Sequence, residues 1–215
     1  MNLKAERLRL YAVTDRTWAK DSDDLLRQVN EVIDGGATMV QLREKHLDDE
    51  AFLAEAGRFV ALCRERGVVS IINDNVEVAA ASGADGVHVG QEDLEAGRTR
   101  ERLGPDKIIG VSAHSVEEGL RAQAAGADYL GVGAAFATGT KTDAAPISHT
   151  TIRAITRAVS IPVVAIGGIT RENISRLKGC GLDGVAVVSA LFGAEDVKAA
   201  SAELRRLAEE IAEHS

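Results

Sequence analysis

Gln41-Leu42-Arg43-Glu44-Lys45 decides the fold. It closes a short apolar run that starts at Met39, and strand alternation puts Gln41, Arg43 and Lys45 on one face with Leu42 turned the other way. Two cations and an amide therefore leave the end of a buried strand on the same side. The event recurs along the chain: short apolar runs stop at Asn73-Asp74-Asn75, Gly90-Gln91-Glu92-Asp93, Ser112, Thr138-Gly139-Thr140-Lys141, Gly167-Gly168 and Ser189. Polar groups gathered at the carboxyl ends of successive parallel strands predict an α/β protein folded as a closed (β/α)8 barrel of the TIM type.

Eight strands are expected, at Leu10–Thr14, Met39–Arg43, Val68–Asn73, Gly86–Val89, Ile108–Ser112, Tyr129–Gly133, Pro162–Gly167 and Gly184–Ser189. Helical periodicity fills the gaps, as in Leu25, Val29, Val32 and Ile33, or Val197, Leu204, Leu207, Ala208 and Ile211. Alternation of strand and helix implies a parallel sheet. Gly36-Ala37-Thr38, Gly83-Ala84-Asp85, Gly126-Ala127-Asp128 and Gly181-Leu182-Asp183 echo one another, each ending a helix before an even-numbered strand. The rival, an open doubly wound sheet, calls for a glycine-rich loop after the first strand, where Thr14-Asp15-Arg16-Thr17-Trp18 has no glycine.

The 215 residues suit a single barrel domain over 1–215, and 45% hydrophobic with only 3% aromatic residues calls for a core of small branched side chains. A net charge of −8 argues against nucleic acid or anionic membrane as partners. The first residues, Met1 to Arg7, carry charges where a secretory signal needs an apolar run, so a soluble cytoplasmic protein is expected, and a homo-oligomer is compatible with this. Cys63 and Cys180 have no metal-ligand or redox spacing and are expected as buried hydrophobes.

Any anionic substrate must meet a local positive cluster. Arg43 and Lys45 supply one, Arg being suited to bidentate phosphate recognition, with ordinary surface ion pairs as the alternative. Asp74 and Asp93 fall on neighbouring loops of the same rim and suit one Mg²⁺ completed by substrate phosphates, although Asp93 alone also suits a helix cap. Gly167-Gly168 and Val188-Ser189 end the last two strands, where backbone amides commonly take a monophosphate. The Gly/Thr loop 133–143 can close on a ligand and carries Lys141. His88 and His114 are expected to be hydrogen-bonded in the interior, and Trp18, Met39 and Tyr129 to serve packing.

Taken in order, Gln41 to Lys45, Ile72-Asn73-Asp74, His88 to Asp93, Gly110 to His114, Thr138 to Lys141, Ala165 to Ile169 and Val187-Val188-Ser189 resemble the thiamine-phosphate synthase family from Tyr11 to about Phe192. The resemblance implies an Mg²⁺-dependent transferase of thiamine biosynthesis. It joins 4-amino-5-hydroxymethyl-2-methylpyrimidine diphosphate to 4-methyl-5-(2-phosphoethyl)thiazole, giving thiamine phosphate and pyrophosphate. It further implies that Gln41, Leu42, Arg43, Glu44, Lys45, Asn73, Ser112 and Lys141 bind the pyrimidine diphosphate, with Arg43, Lys45, Ser112 and Lys141 catalytic. Thr138, Gly139, Thr140, Gly168, Val188 and Ser189 would bind the thiazole phosphate, and Asp74 and Asp93 one Mg²⁺ per subunit. The chain departs from the family at Ala134, Ala135 and Ala137, where prolines are frequent. Two alternatives remain: a thiazole tautomerase, which needs no metal-bound diphosphate, and a phosphate-sensing barrel without catalysis.

Overall fold

The structure, a computed structural model, describes residues 3–90, 96–139 and 146–212. Eight parallel strands, β1 (Leu10–Val13), β2 (Met39–Leu42), β3 (Val69–Asn73), β4 (Gly86–Val89), β5 (Ile108–Ala113), β6 (Tyr129–Gly133), β7 (Val163–Ile166) and β8 (Gly184–Val187), close into a barrel in chain order. The ring is sealed by β8 pairing with β1, Tyr11 opposite Ala186. Around it run α1 (Ser22–Asp34), α2 (Asp49–Arg66), α3 (Val76–Ser82), α4 (Ala96–Leu103), α5 (Val116–Ala124), α6 (His149–Ala158), a short α7 (Ser189–Phe192) and α8 (Val197–Ala212).

Alternation splits the core into two layers. Leu10, Ala12, Val40 and Leu42 pack outward against the helices, whereas Tyr11, Val13, Met39, Ile71, Tyr129 and Val164 fill the barrel. Cys63 and Cys180 are both free and buried. Among the described residues no helix is long and apolar enough to cross a membrane.

The repeated glycine motif has a structural cause. Gly36, Gly83, Gly126 and Gly181 all take positive φ, and the polar residue two places later ties its strand to the preceding odd one. Thr38 Oγ1 accepts the Leu10 amide at 3.2 Å, Asp85 Oδ2 the Ser70 amide at 2.8 Å, Asp128 Oδ2 the Ile109 amide at 2.8 Å and Asp183 Oδ2 the Val163 amide at 2.8 Å. Four equivalent clamps at the amino-terminal end of the barrel satisfy backbone donors there.

Three expectations shift. β3 starts at Val69 because the Val68 amide still closes α2, donating to Cys63 O at 3.0 Å behind the left-handed Gly67. Between β7 and β8 the chain forms only a 3-10 turn, Ile174–Leu177, in place of a full helix, ended by the left-handed Gly179 and Gly181. Trp18 packs at the surface and not in the interior: it is 37% exposed and rests on Gly193, where an added Cβ would come 2.9 Å from Trp18 Nε1.

Candidate active site

A cleft of about 450 Å³ opens at the carboxyl ends of the strands, and Gln41, Arg43, Lys45, Asn73, Asp74, Ser112, Thr138, Gly168, Val188 and Ser189 all line it. On β2 the inward alternation continues past the strand end. Gln41 is 4% exposed and donates through Nε2 to the Tyr11 hydroxyl. The Arg43 amide donates to Thr14 Oγ1 at 3.0 Å, and its guanidinium pairs with Asp15 at 3.1 Å. Lys45 extends to the rim.

Leu42 and Glu44, expected with this group, have their side chains elsewhere. Leu42 packs in the outer core, as the alternation requires. Glu44 turns to Arg16, which also holds Glu55. Burial raises the Glu44 carboxyl above the usual range against the pull of Arg16.

Asp74 follows β3 directly with φ of 60°, a left-handed conformation that few residues other than glycine adopt. Its amide donates to His88 O at 2.8 Å, and Asn73 Nδ2 donates to its Oδ2 at 2.6 Å. The strained turn presents a carboxylate at the cleft edge, which fits a hard cation. Among the described residues no cluster of three or more His, Cys, Asp or Glu side chains forms.

Across the cleft, Gly168 follows β7 by two residues and Ser189 opens α7 just beyond β8. The Gly168 carbonyl accepts from Asn173 Nδ2 at 2.8 Å, which fixes the turn. Gly168 also admits the β6 loop, since a Cβ there would lie 2.3 Å from Ala137 O. That loop is pinned at its root: Ala135 N donates to Ile166 O at 2.8 Å and Phe136 N to Gly167 O at 3.0 Å. Phe136 itself packs edge-on to His149 with Arg176 over its ring. These bonds hold Ala134 and Ala135, both 4% exposed, without prolines. Gly139 continues the loop beyond Thr138 and is not part of the cleft wall. Asp93, Thr140 and Lys141 lie outside the described residues.

Three contributors escaped the sequence: Tyr11, Tyr129 and Asp15. Tyr129 packs as expected, with 0% exposure, but its hydroxyl meets Tyr11 at 2.8 Å and His88 Nδ1 at 2.9 Å. His88 is hydrogen-bonded in the interior as expected, its Nε2 lying 3.0 Å from Ser112 Oγ, whereas His114 is exposed and meets Glu118 Oε2 at 3.1 Å. The signal for Tyr11 was its inward register with Val13; Asp15 gave none beyond its position after β1. A second cleft of about 380 Å³ lies on the opposite face near Arg7 and Arg64. There Ser70 and Asp85 are already bonded to each other at 2.9 Å.

Fold and rim together define the class: a (β/α)8 barrel enzyme with a cation- and amide-bearing cleft where such barrels carry their chemistry. Residues 10–191 match the family model described as thiamine monophosphate synthase. The chain is 48% identical to the thiamine-phosphate synthase of Clostridium tetani (strain Massachusetts / E88), over 91% of this chain and 93% of that one. It is 50% identical to that of Chloroflexus aurantiacus (strain ATCC 29366 / DSM 635 / J-10-fl), over 93% and 92%. The solved thiamine phosphate pyrophosphorylase from Pyrococcus furiosus superimposes with a TM-score of 0.88 at 40% identity, covering 96% of this chain and 98% of that one. The chain belongs to the thiamine monophosphate synthase family, transferases of thiamine biosynthesis.

Proposed function

We propose that the cleft condenses 4-amino-5-hydroxymethyl-2-methylpyrimidine diphosphate with 4-methyl-5-(2-phosphoethyl)thiazole, releasing pyrophosphate, with Mg²⁺ required. The observation that carries this is one cleft with two unlike sides: the cations Arg43 and Lys45 beyond β2, with the Asp74 carboxylate beyond β3 suited to a metal, and Gly168, Val188 and Ser189 beyond β7 and β8. A diphosphate suits the cationic side and a monophosphate the amide side.

The thiazole nitrogen lone pair forms the new bond to the pyrimidine methylene carbon, and the carbon–oxygen bond breaks with its electron pair leaving on the diphosphate. No protein nucleophile is needed. Arg43, Lys45 and Lys141 supply positive charge for the leaving group, and Ser112 and Gln41 orient the pyrimidine. Asp74 and Asp93 would hold the Mg²⁺, which offsets negative charge on the departing diphosphate. Thr138, Gly139 and Thr140 would cover the thiazole phosphate. The same reading takes the protein to work in the cytoplasm, on small molecules and without nucleic acid or membrane.

Mixing both substrates with Mg²⁺ and detecting product by mass tests the proposal. Thiamine phosphate with an equal amount of pyrophosphate is expected. Interconversion of thiazole tautomers without condensation would overturn it in favour of the isomerase.

A further inference from the structure

A chain of hydrogen bonds crosses the barrel just beneath the cleft. Gln41 Nε2 donates to the Tyr11 hydroxyl, which lies 2.8 Å from the Tyr129 hydroxyl; that oxygen is 2.9 Å from His88 Nδ1, and His88 Nε2 is 3.0 Å from Ser112 Oγ. Five strands contribute to it: β2, β1, β6, β4 and β5. The interior has room for the rings only because two inward positions lack a side chain. A Cβ on Gly110 would lie 2.1 Å from Tyr129 Cζ, and one on Gly131 would lie 3.0 Å from His88 Cε1.

Donor counting gives the chain a direction. The Gln41 nitrogen has only hydrogens to offer, so the Tyr11 oxygen accepts. Tyr11 then directs its single proton to the Tyr129 oxygen; the reverse arrow would strand that proton in a buried place with no acceptor among the described residues. Tyr129 in turn directs its proton to His88 Nδ1. Burial raises both phenols above their ordinary range, so each keeps its proton. With Nδ1 accepting, the neutral imidazole carries its hydrogen on Nε2 and donates to Ser112 Oγ. Ser112 must then send its own proton to an acceptor outside the chain.

We propose that this chain is polarised from Gln41 to Ser112, making Tyr11, Tyr129 and His88 positioning residues that present Gln41 Oε1 as an acceptor and the Ser112 hydroxyl as a donor to the pyrimidine diphosphate. An aminopyrimidine matches that pattern, since its exocyclic amine donates while its ring nitrogens and its phosphate oxygens accept. The recognition half of this inference rests on the function proposed above; the polarity does not.

The polarity is read in the ligand-free protein by ¹⁵N NMR of the His88 ring. Wild type is expected to show hydrogen on Nε2 and a pyridine-type Nδ1. In Gln41→Glu, a carboxylate accepts from Tyr11 and every arrow reverses, so the hydrogen is expected on Nδ1, three hydrogen bonds along the chain from the substitution. A wild-type Nδ1–H tautomer, or one tautomer unchanged in Gln41→Glu, overturns the polarity. Tyr129→Phe cuts the chain in the middle and is expected to raise KM for the pyrimidine diphosphate about tenfold, leaving KM for the thiazole phosphate unchanged. Equal KM values for both substrates in Tyr129→Phe and wild type overturn the recognition role. A wild type that does not condense the substrates counts against the proposed function, and the NMR result then still decides the polarity.

Discussion

Arg16 Nη2 lies 2.7 Å from Glu44 Oε1, and the Glu44 side chain is only 1% exposed. The same guanidinium meets Glu55 at 2.5 Å, while Ser22 donates to the other Glu55 oxygen. Glu44 Oε2 is buried without a partner among the described residues. Two carboxylates thus share one cation beneath the β2 loop, and the loop's approach to the cleft is set from behind.

Arg16→Ala should therefore destabilise the fold by about 3 kcal/mol at neutral pH, because it leaves buried carboxylates unpaired. The sign with pH follows from Glu44, whose folded carboxyl is raised by burial and lowered by Arg16. A raised carboxyl contributes stability below the ordinary carboxylate range and loses it as pH rises through the folded value. Removing Arg16 deepens that loss, so the deficit should shrink as pH falls toward about 4. Urea unfolding at two pH values checks this; an equal deficit at both would mean that the carboxylates do not carry the effect.

Asp74→Asn isolates charge from backbone strain, since Asn tolerates the left-handed conformation about as well as Asp. The variant should fold normally and need about tenfold more Mg²⁺ for half-maximal turnover, within the range by which changed metal surroundings lower affinity. An unchanged Mg²⁺ requirement would remove Asp74 from the metal site.

Ser189→Ala probes the amide side better than any change at Gly168, whose Cβ would strike Ala137 O as well as a ligand. A lost hydrogen bond to a charged oxygen corresponds to roughly a tenfold higher KM for the thiazole phosphate. The pyrimidine diphosphate KM should stay at the wild-type value. A defect confined to the diphosphate would reverse the assignment of the two sides.

Cys63 should resist thiol reagents in the folded protein, because burial pushes its thiol up to about 12. Labelling should appear only with unfolding, and rapid modification in native buffer would contradict the packing around it.

The barrel was legible because its signals are periodic and local: apolar runs of strand length, polar ends at each carboxyl terminus, and glycine before each even strand. Inward projection of Gln41, Arg43 and Lys45 followed from alternation alone, and the same rule already turned Leu42 away. Glu44 was misplaced because its partners, Arg16 and Glu55, come from segments that alternation along β2 does not see. Tyr129 read as packing since its ring does pack; the role of its hydroxyl depends on Tyr11, 118 residues away in sequence. Cross-barrel pairings of this kind are set by closure, and no local pattern records them.

Two separate anion sites in one cleft, only one of them dependent on metal, can be distinguished by binding alone. Calorimetric titration of the protein with inorganic pyrophosphate and with inorganic phosphate, each with Mg²⁺ and with a chelator, tests this most directly. Pyrophosphate should bind only with Mg²⁺, phosphate should bind in either buffer, and saturation with one should leave a site for the other. Competition between the two anions, or the same metal dependence for both, would contradict the account.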